Sequence, residues 1–221
     1  MKFILLCFIF ISYLFGAYPK KEDISNFLDA KFSGDTSLVN EYLSDNFIYY
    51  HAPFVGLGIK AFYVDGALLV TDVFVDSLNA NISVGDRIHE FNGRIITKEG
   101  ISIKGAVGDI QELIITEKDS SSFTFLKIPL RIIRESEKNI TFLENIKSYS
   151  DLWYDYDFTL VEFFSKKNKI VIHYSWEGSL EKNSKVYHFD AFEVFTTDKK
   201  TGLILDSKSL WNELQFRNQF K

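Results

Sequence analysis

Between Phe158 and Trp211 the chain spells four long runs in which apolar and polar residues alternate: FTLVEFFS, KIVIHYSWEGSL, KVYHFDAFEVFTT and LILDSKSLW. Alternation is the period of a strand with one buried face and one wet face. The segments between them, KKN, EKNS and DKKTG, are short and made of turn-forming residues, so consecutive runs fold back on each other as hairpins. Long strands joined by short turns make a curved antiparallel meander. One face of such a sheet is apolar and has to be covered by something else in the chain.

Helical signals stand at the other end. In residues 21–45, KEDISNFLDAKFSGDTSLVNEYLSD, the apolar residues Ile24, Phe27, Leu28 and Phe32 recur at helical spacing, and Gly34 stops the run. Asp35 is placed to cap a second short helix that passes through Leu38 and Leu43. NFIYYH then reads as a strand, and NIKSYSDLWYD, just before the meander, as helical. Helices first and strands last are each incomplete alone. Residues 18–52 and 147–221 together give about 110 residues, a usual domain size.

The block between them, from Phe54 to Ile146, is strand-rich. It carries VGLGI at 55–59, VGDRI at 84–88 and FNG at 91–93, with one helix expected near VGDIQELI. Glycines let a loop turn sharply and aim successive backbone N–H groups inward, which suits an anion. Asn92-Gly93 is a type I′ hairpin turn, and Gly85-Asp86 turns into a core strand.

The order and spacing of GLGI, VGDRI and FNG resemble a PDZ domain of the type attached to bacterial secreted proteases. That resemblance implies a groove for a peptide C-terminus. Gly56, Leu57, Gly58 and Ile59 would cradle the carboxylate, Lys60 would add charge, and Asp109 and Leu113 would lie on a facing helix. The two flanks resemble the NTF2-like, SnoaL-like fold, a cone of curved sheet closed by helices, on the pattern of NKIVIHYSWEGSL and YHFDAFEVFTTDKKTGLILDSKSLWN. The expected fold class is therefore α+β, an NTF2-like cone interrupted by a PDZ-like, partly open β-barrel. The expected boundaries are 1–17, 18–52, 53–146 and 147–221.

The first 21 residues, MKFILLCFIFISYLFGAYPKK, have one early cation and an apolar run from Phe3 to Phe15, followed by the small residues Gly16 and Ala17. The run is short for a membrane-spanning helix and fits a secretory signal peptide, with an uncleaved anchor as the alternative. A secreted or periplasmic bacterial protein is expected. Cys7 is the only cysteine and lies inside this run, so cleavage leaves no thiol for disulfides, nucleophilic catalysis or zinc.

The formal charge is −5, without a basic stripe, which argues against nucleic-acid binding. No nucleophile elbow, HExxH, P-loop or dinucleotide fingerprint is present, so no cofactor or metal is expected. With no room for a protease domain, the leading expectation is a non-enzymatic module that grips a peptide or protein C-terminus. The alternative is a small-molecule binder or a SnoaL-like isomerase, cyclase or hydrolase with its pocket in the cone. Tyr174, Trp176, His188 and Asp190 are the pocket candidates, and His188 with Asp190 would be the general base. The register around EKNS is open, and a slip of one residue exchanges the faces. The NTF2-like resemblance makes a homodimer an expectation, since cones of this kind often pair through the outer sheet face, and Tyr187, Phe189 and Phe195 alternate on one face that needs cover.

Overall fold

The computed structural model describes residues 18–74 and 81–220. The apolar N-terminal run lies outside them. The chain divides into two compact units. A flanking unit comprises the chain up to Ala52 and from Ser136, and a central unit comprises Pro53–Glu135.

The flanking unit opens with α1 (Lys21–Ser33), whose apolar residues Ile24, Phe27 and Leu28 are fully buried. Glu22 and Asp23 in the first turn and Lys31 in the last complement the helix dipole. Gly34 ends the helix at φ 78°, a left-handed conformation that costs glycine little. Asp35 then caps α2 (Thr36–Tyr42) by accepting the Leu38 N–H at 3.0 Å. Strand β1 (Leu43–Tyr50) follows directly.

The central unit contains β2 (Phe54–Gly56), β3 (Ile59–Val64), β4 (Ala67–Val73), β5 (Arg87–Phe91), β6 (Arg94–Ile95), β7 (Ile110–Thr116), β8 (Phe123–Pro129) and β9 (Arg131–Ile133). Strands β3, β4, β5, β7 and β8 form a sheet in that order with β6 paired to β5, and β2 pairs with β9. Leu68, Val70, Ile88, Leu113, Ile115 and Ile128 make its core. Asn92 and Gly93 have φ of 49° and 72°, as a type I′ turn requires. The Asp86 carboxylate is 3% exposed and accepts the N–H groups of Ser83 and Lys118 at 2.7 and 3.0 Å, which ties two loops together.

The helix expected from Asp109 through Leu113 is strand β7. Gln111, Leu113 and Ile115 point inward in strict alternation, and the buried Gln111 is satisfied by the Asn92 side-chain amide at 2.8 Å. A polar residue on the core face hid the alternation in the sequence. Among the described residues, the central unit contains no helix.

The chain returns to the flanking unit through β10 (Ser136–Lys138) and α3 (Asn139–Ser150). The strands of the central unit therefore stop at β9. From Asn139 the sequence is helical because Phe142 and Ile146, four residues apart, are the positions that bury. The meander follows as β11 (Asp155–Lys166), β12 (Lys169–Ser179), β13 (Val186–Thr197) and β14 (Ile204–Trp211), and α4 (Glu213–Asn218) follows it.

The sheet order is β10-β1-β14-β13-β12-β11. All neighbours are antiparallel except β1 and β14, which run parallel, so the sheet is mixed. Helices α1, α2 and α3 contribute Phe27, Leu28, Val39, Phe142 and Ile146 to one core with Ile172, Tyr174, Trp176 and Phe195 from the sheet. Tyr187, Phe189 and Phe195 lie on this covered face. Phe27 meets Phe195 edge-on at 5.7 Å, and Phe216 of α4 meets Phe189 at 5.4 Å. Their cover comes from the chain itself, which leaves these side chains no need of a second copy. Helices closing a curved sheet are the cone that the NTF2-like resemblance implies.

Tyr50 pairs with Ser136 in the antiparallel ladder of β1 and β10, so the flanking unit has adjacent ends where the central unit interrupts it. Replacing Pro53–Glu135 by a short Asn-Gly turn should leave a flanking unit that unfolds in one cooperative thermal transition, followed by circular dichroism. A product without a cooperative transition would contradict this division of the chain.

Candidate functional site

Strand register decides which side chains meet on the concave face. Trp176 pairs with Phe189 and Glu177 with His188, which places Tyr174 and Trp176 inside, 2% and 3% exposed. On β13 the inward set is Tyr187, Phe189, Ala191, Glu193 and Phe195. His188 and Asp190 fall on the opposite, solvent-facing side. Their expected role as a buried general-base pair is corrected by this register. Asp190 stands 3.7 Å from His173, which is itself on the outer face and stacked on Phe192 at 4.5 Å. His188 and Asp190 do line a small cleft of about 110 Å³ with Phe189, Asn212, Gln215 and Phe216, at the end of the sheet next to α4.

Among the described residues, the concave face buries the charged side chain of Glu193, which has no solvent exposure. Its carboxylate accepts from Lys31 Nζ at 3.0 and 3.3 Å and from Ser207 Oγ at 2.5 Å. The Tyr174 hydroxyl lies 3.5 Å from its Oε2. Lys31 comes from the last turn of α1, and its side chain is 13% exposed. Glu193 is opposite Ser209 on β14, and Ser207 is opposite Tyr49 on β1. Tyr49 is in turn opposite Glu137 on β10, whose carboxylate is 2.7 Å from His51 Nε2. A polar row thus crosses the sheet from β10 to β12, with Lys31 reaching onto it from the helical layer. The Lys31 ammonium is also 5.7 Å from the ring centre of Tyr49.

The two phenols of the row are held protonated. Burial raises Tyr49 and Tyr174 above the ordinary tyrosine value, the negative charge of Glu193 raises both further, and hydrogen bonding to Ser209 opposes the shift in each. Both side chains are therefore neutral donors throughout the physiological range. The row contains a carboxylate to accept a proton, phenols to donate hydrogen bonds, and an ammonium to fix charge.

Beyond this row the concave face turns aromatic. Phe32 lies 5.7 Å from Tyr174 and 6.2 Å from Trp176. Trp176 in turn stacks on Phe189 and meets Trp153 edge-on at 4.7 Å. The sequence pointed to Tyr174 and Trp176 but missed Glu193, Lys31 and Tyr49. The alternation of Phe189, Ala191, Glu193 and Phe195 carried a usable signal, a lone acidic residue on an otherwise apolar face.

The residues expected to bind a peptide are placed differently. Gly56 is buried and paired to Arg131. Leu57 is a core residue at 2% exposure, and Ile59 opens β3. Gly58 has φ 79°, and its carbonyl accepts the Phe74 N–H at 2.9 Å. Lys60 is engaged by Glu135. Asp109 is occupied in its own loop, accepting from the Ala106 N–H at 2.7 Å, and Leu113 is fully buried inside the sheet. With Asp109 and Leu113 in a loop and a strand, the helical wall of the expected groove is missing. The peptide-binding reading is withdrawn.

No family model and no curated protein matches the sequence. Among solved structures, PrhC from Penicillium brasilianum is similar at 6% identity over 87% of this chain and 79% of its own, with a TM-score of 0.44. An NTF2-like protein of unknown function from Cytophaga hutchinsonii is similar at 10% identity over 93% and 98%, with a TM-score of 0.41. A SnoaL-like polyketide cyclase from Agrobacterium tumefaciens is similar at 9% identity over 38% and 70%, with a TM-score of 0.32.

Because Tyr49 and Tyr174 titrate higher in the folded chain than the unfolded value of about 10, the stability they contribute is full below about pH 10 and falls as pH rises above it. Urea unfolding between pH 9 and 11.5 should show a steeper loss of stability for the natural chain than for the Tyr49→Phe, Tyr174→Phe double variant. Identical pH dependence would contradict the burial of both phenols.

Proposed function

We propose that the flanking unit binds a small organic molecule on its concave face, with the polar row around Glu193 holding the polar part of that molecule. The observation that carries this reading is the Glu193 carboxylate. It is fully buried on a face whose other buried residues are uncharged, and it faces a cation from a different layer of the fold. Desolvating an ion pair has a large cost, and an apolar pair of similar volume would hold two layers together at least as well. Concave, mostly apolar faces with a few convergent polar groups and perturbed phenols are where small ligands are bound.

The chemistry available to the row is proton transfer. Glu193 is the acceptor. The phenols of Tyr49 and Tyr174 are donors to an oxygen on which charge develops, and Lys31 compensates that charge. Lys31, Tyr49 and Glu137 are the members of the row that are not fully buried, and the entrance lies beside them.

A thermal-shift screen of ketones, phenols and carboxylic acids below about 250 Da tests the reading on the full chain. Compounds should be found that raise the melting temperature by several degrees, and their effect should be lost in Lys31→Met and Glu193→Gln. Hits indifferent to both substitutions, or no hit at all, would overturn it.

A further inference from the structure

Trp176 is 3% exposed, and its indole Nε1 is buried without a hydrogen-bond partner. Buried N–H groups left unpaired are rare in native interiors, and each calls for an explanation. The ring is held without using that group. A Cβ on Gly178 would come within 2.5 and 2.7 Å of the indole Cη2 and Cζ2. The indole therefore lies along β12 over a position that only glycine leaves open. Phe189 stacks on it at 5.1 Å, Trp153 meets it edge-on, and Phe216 of α4 closes from 6.2 Å.

Phe189 and Phe216 also line the cleft of about 110 Å³ at this end of the sheet. The cover over the cleft is short. Helix α4 has six residues, and the Gln219 side chain beyond it pairs with the backbone of His188, accepting its N–H at 3.1 Å and donating to its carbonyl at 2.7 Å.

We propose that Trp176 Nε1 is a ligand-binding donor, and that the aromatic end of the cone takes a flat, neutral, conjugated ring system bearing one carbonyl oxygen. This rests on the small-molecule reading above and names the ligand class. Rings on several sides select a flat apolar body. Trp176 Nε1 is a neutral donor, and the Lys31 ammonium 5.7 Å from the Phe32 ring is already paired with Glu193. The cleft wall carries the Asp190 carboxylate, and together these favour a carbonyl over a carboxylate.

The probes are 1-indanone and indane, bicyclic molecules of nearly equal shape that differ in one carbonyl, titrated calorimetrically into the full chain. Without a partner for its oxygen, indanone would bind more weakly than the more apolar indane, so the order of affinities is diagnostic. Indanone should bind the natural chain about tenfold more tightly. Trp176→Phe keeps a ring and removes the donor. It should abolish or reverse that preference while holding the indane affinity within about threefold. Trp153 and Trp211 remain in the variant to report its fold by fluorescence.

Equal affinities in the natural chain would overturn the donor assignment while leaving small-molecule binding in the cone standing. A preference retained by the variant would do the same. Binding of neither probe would overturn the aromatic site, and the polar row would then be judged by its own screen.

Discussion

The Glu193 carboxylate is fully buried on the concave face of the sheet, and a charge in that position is tolerated only where ion pairing and hydrogen bonds replace water. Much of the flanking unit can be understood from that requirement. Lys31 reaches the carboxylate from the last turn of helix α1, which Gly34 ends three residues later. Ser207 faces inward on β14 and donates to it, and the register of β13 against β14 brings the two side chains together. Tyr174 and Tyr49 then stand beside the carboxylate as neutral phenols, their ionisation opposed by burial and by the neighbouring charge. The pair joins the helical layer to the sheet at one point, and the aromatic contacts of Phe27, Phe32 and Phe189 fill the space around it.

Local signals in the sequence gave the right elements wherever the physics was local. The periodicity of Ile24, Phe27 and Leu28, the stop at Gly34 and the cap at Asp35 depend on neighbouring residues, and all three stand in the structure. The hairpins of the meander are equally local. The pairing of Trp176 with Phe189 is not, because it depends on how many residues the EKNS turn consumes. That count separates Tyr174 and Trp176, which are inside, from His188 and Asp190, which are outside. Histidine and aspartate drew attention by their chemistry alone. Glu193 was passed over because its significance lies in the apolar company it keeps and in a lysine 162 residues away.

The central unit illustrates the opposite error, in which strong local motifs were given a long-range meaning. The turn at Asn92-Gly93, the positive φ of Gly58 and the structural role of Asp86 are as the residues indicate. A peptide groove needs a helix facing the sheet edge, and the segment proposed for it is a strand. Its apolar residues, Ile110, Leu113, Ile114 and Ile115, suit either period when read alone. Gln111 decides the matter by burying against the amide of Asn92, a contact across 19 residues that no window of local sequence contains.

A double-mutant cycle on Lys31 and Glu193 tests the central claim most directly. Unfolding free energies would be measured for the natural chain, Lys31→Met, Glu193→Gln and the double variant. Lys31→Met strands a buried carboxylate and should cost about 3 kcal/mol, whereas adding Glu193→Gln should recover part of that loss. The account predicts a coupling energy of about 1 kcal/mol or more. Effects that add to within about 0.5 kcal/mol would mean that the two side chains do not depend on each other, and would contradict the organisation of the concave face around this pair.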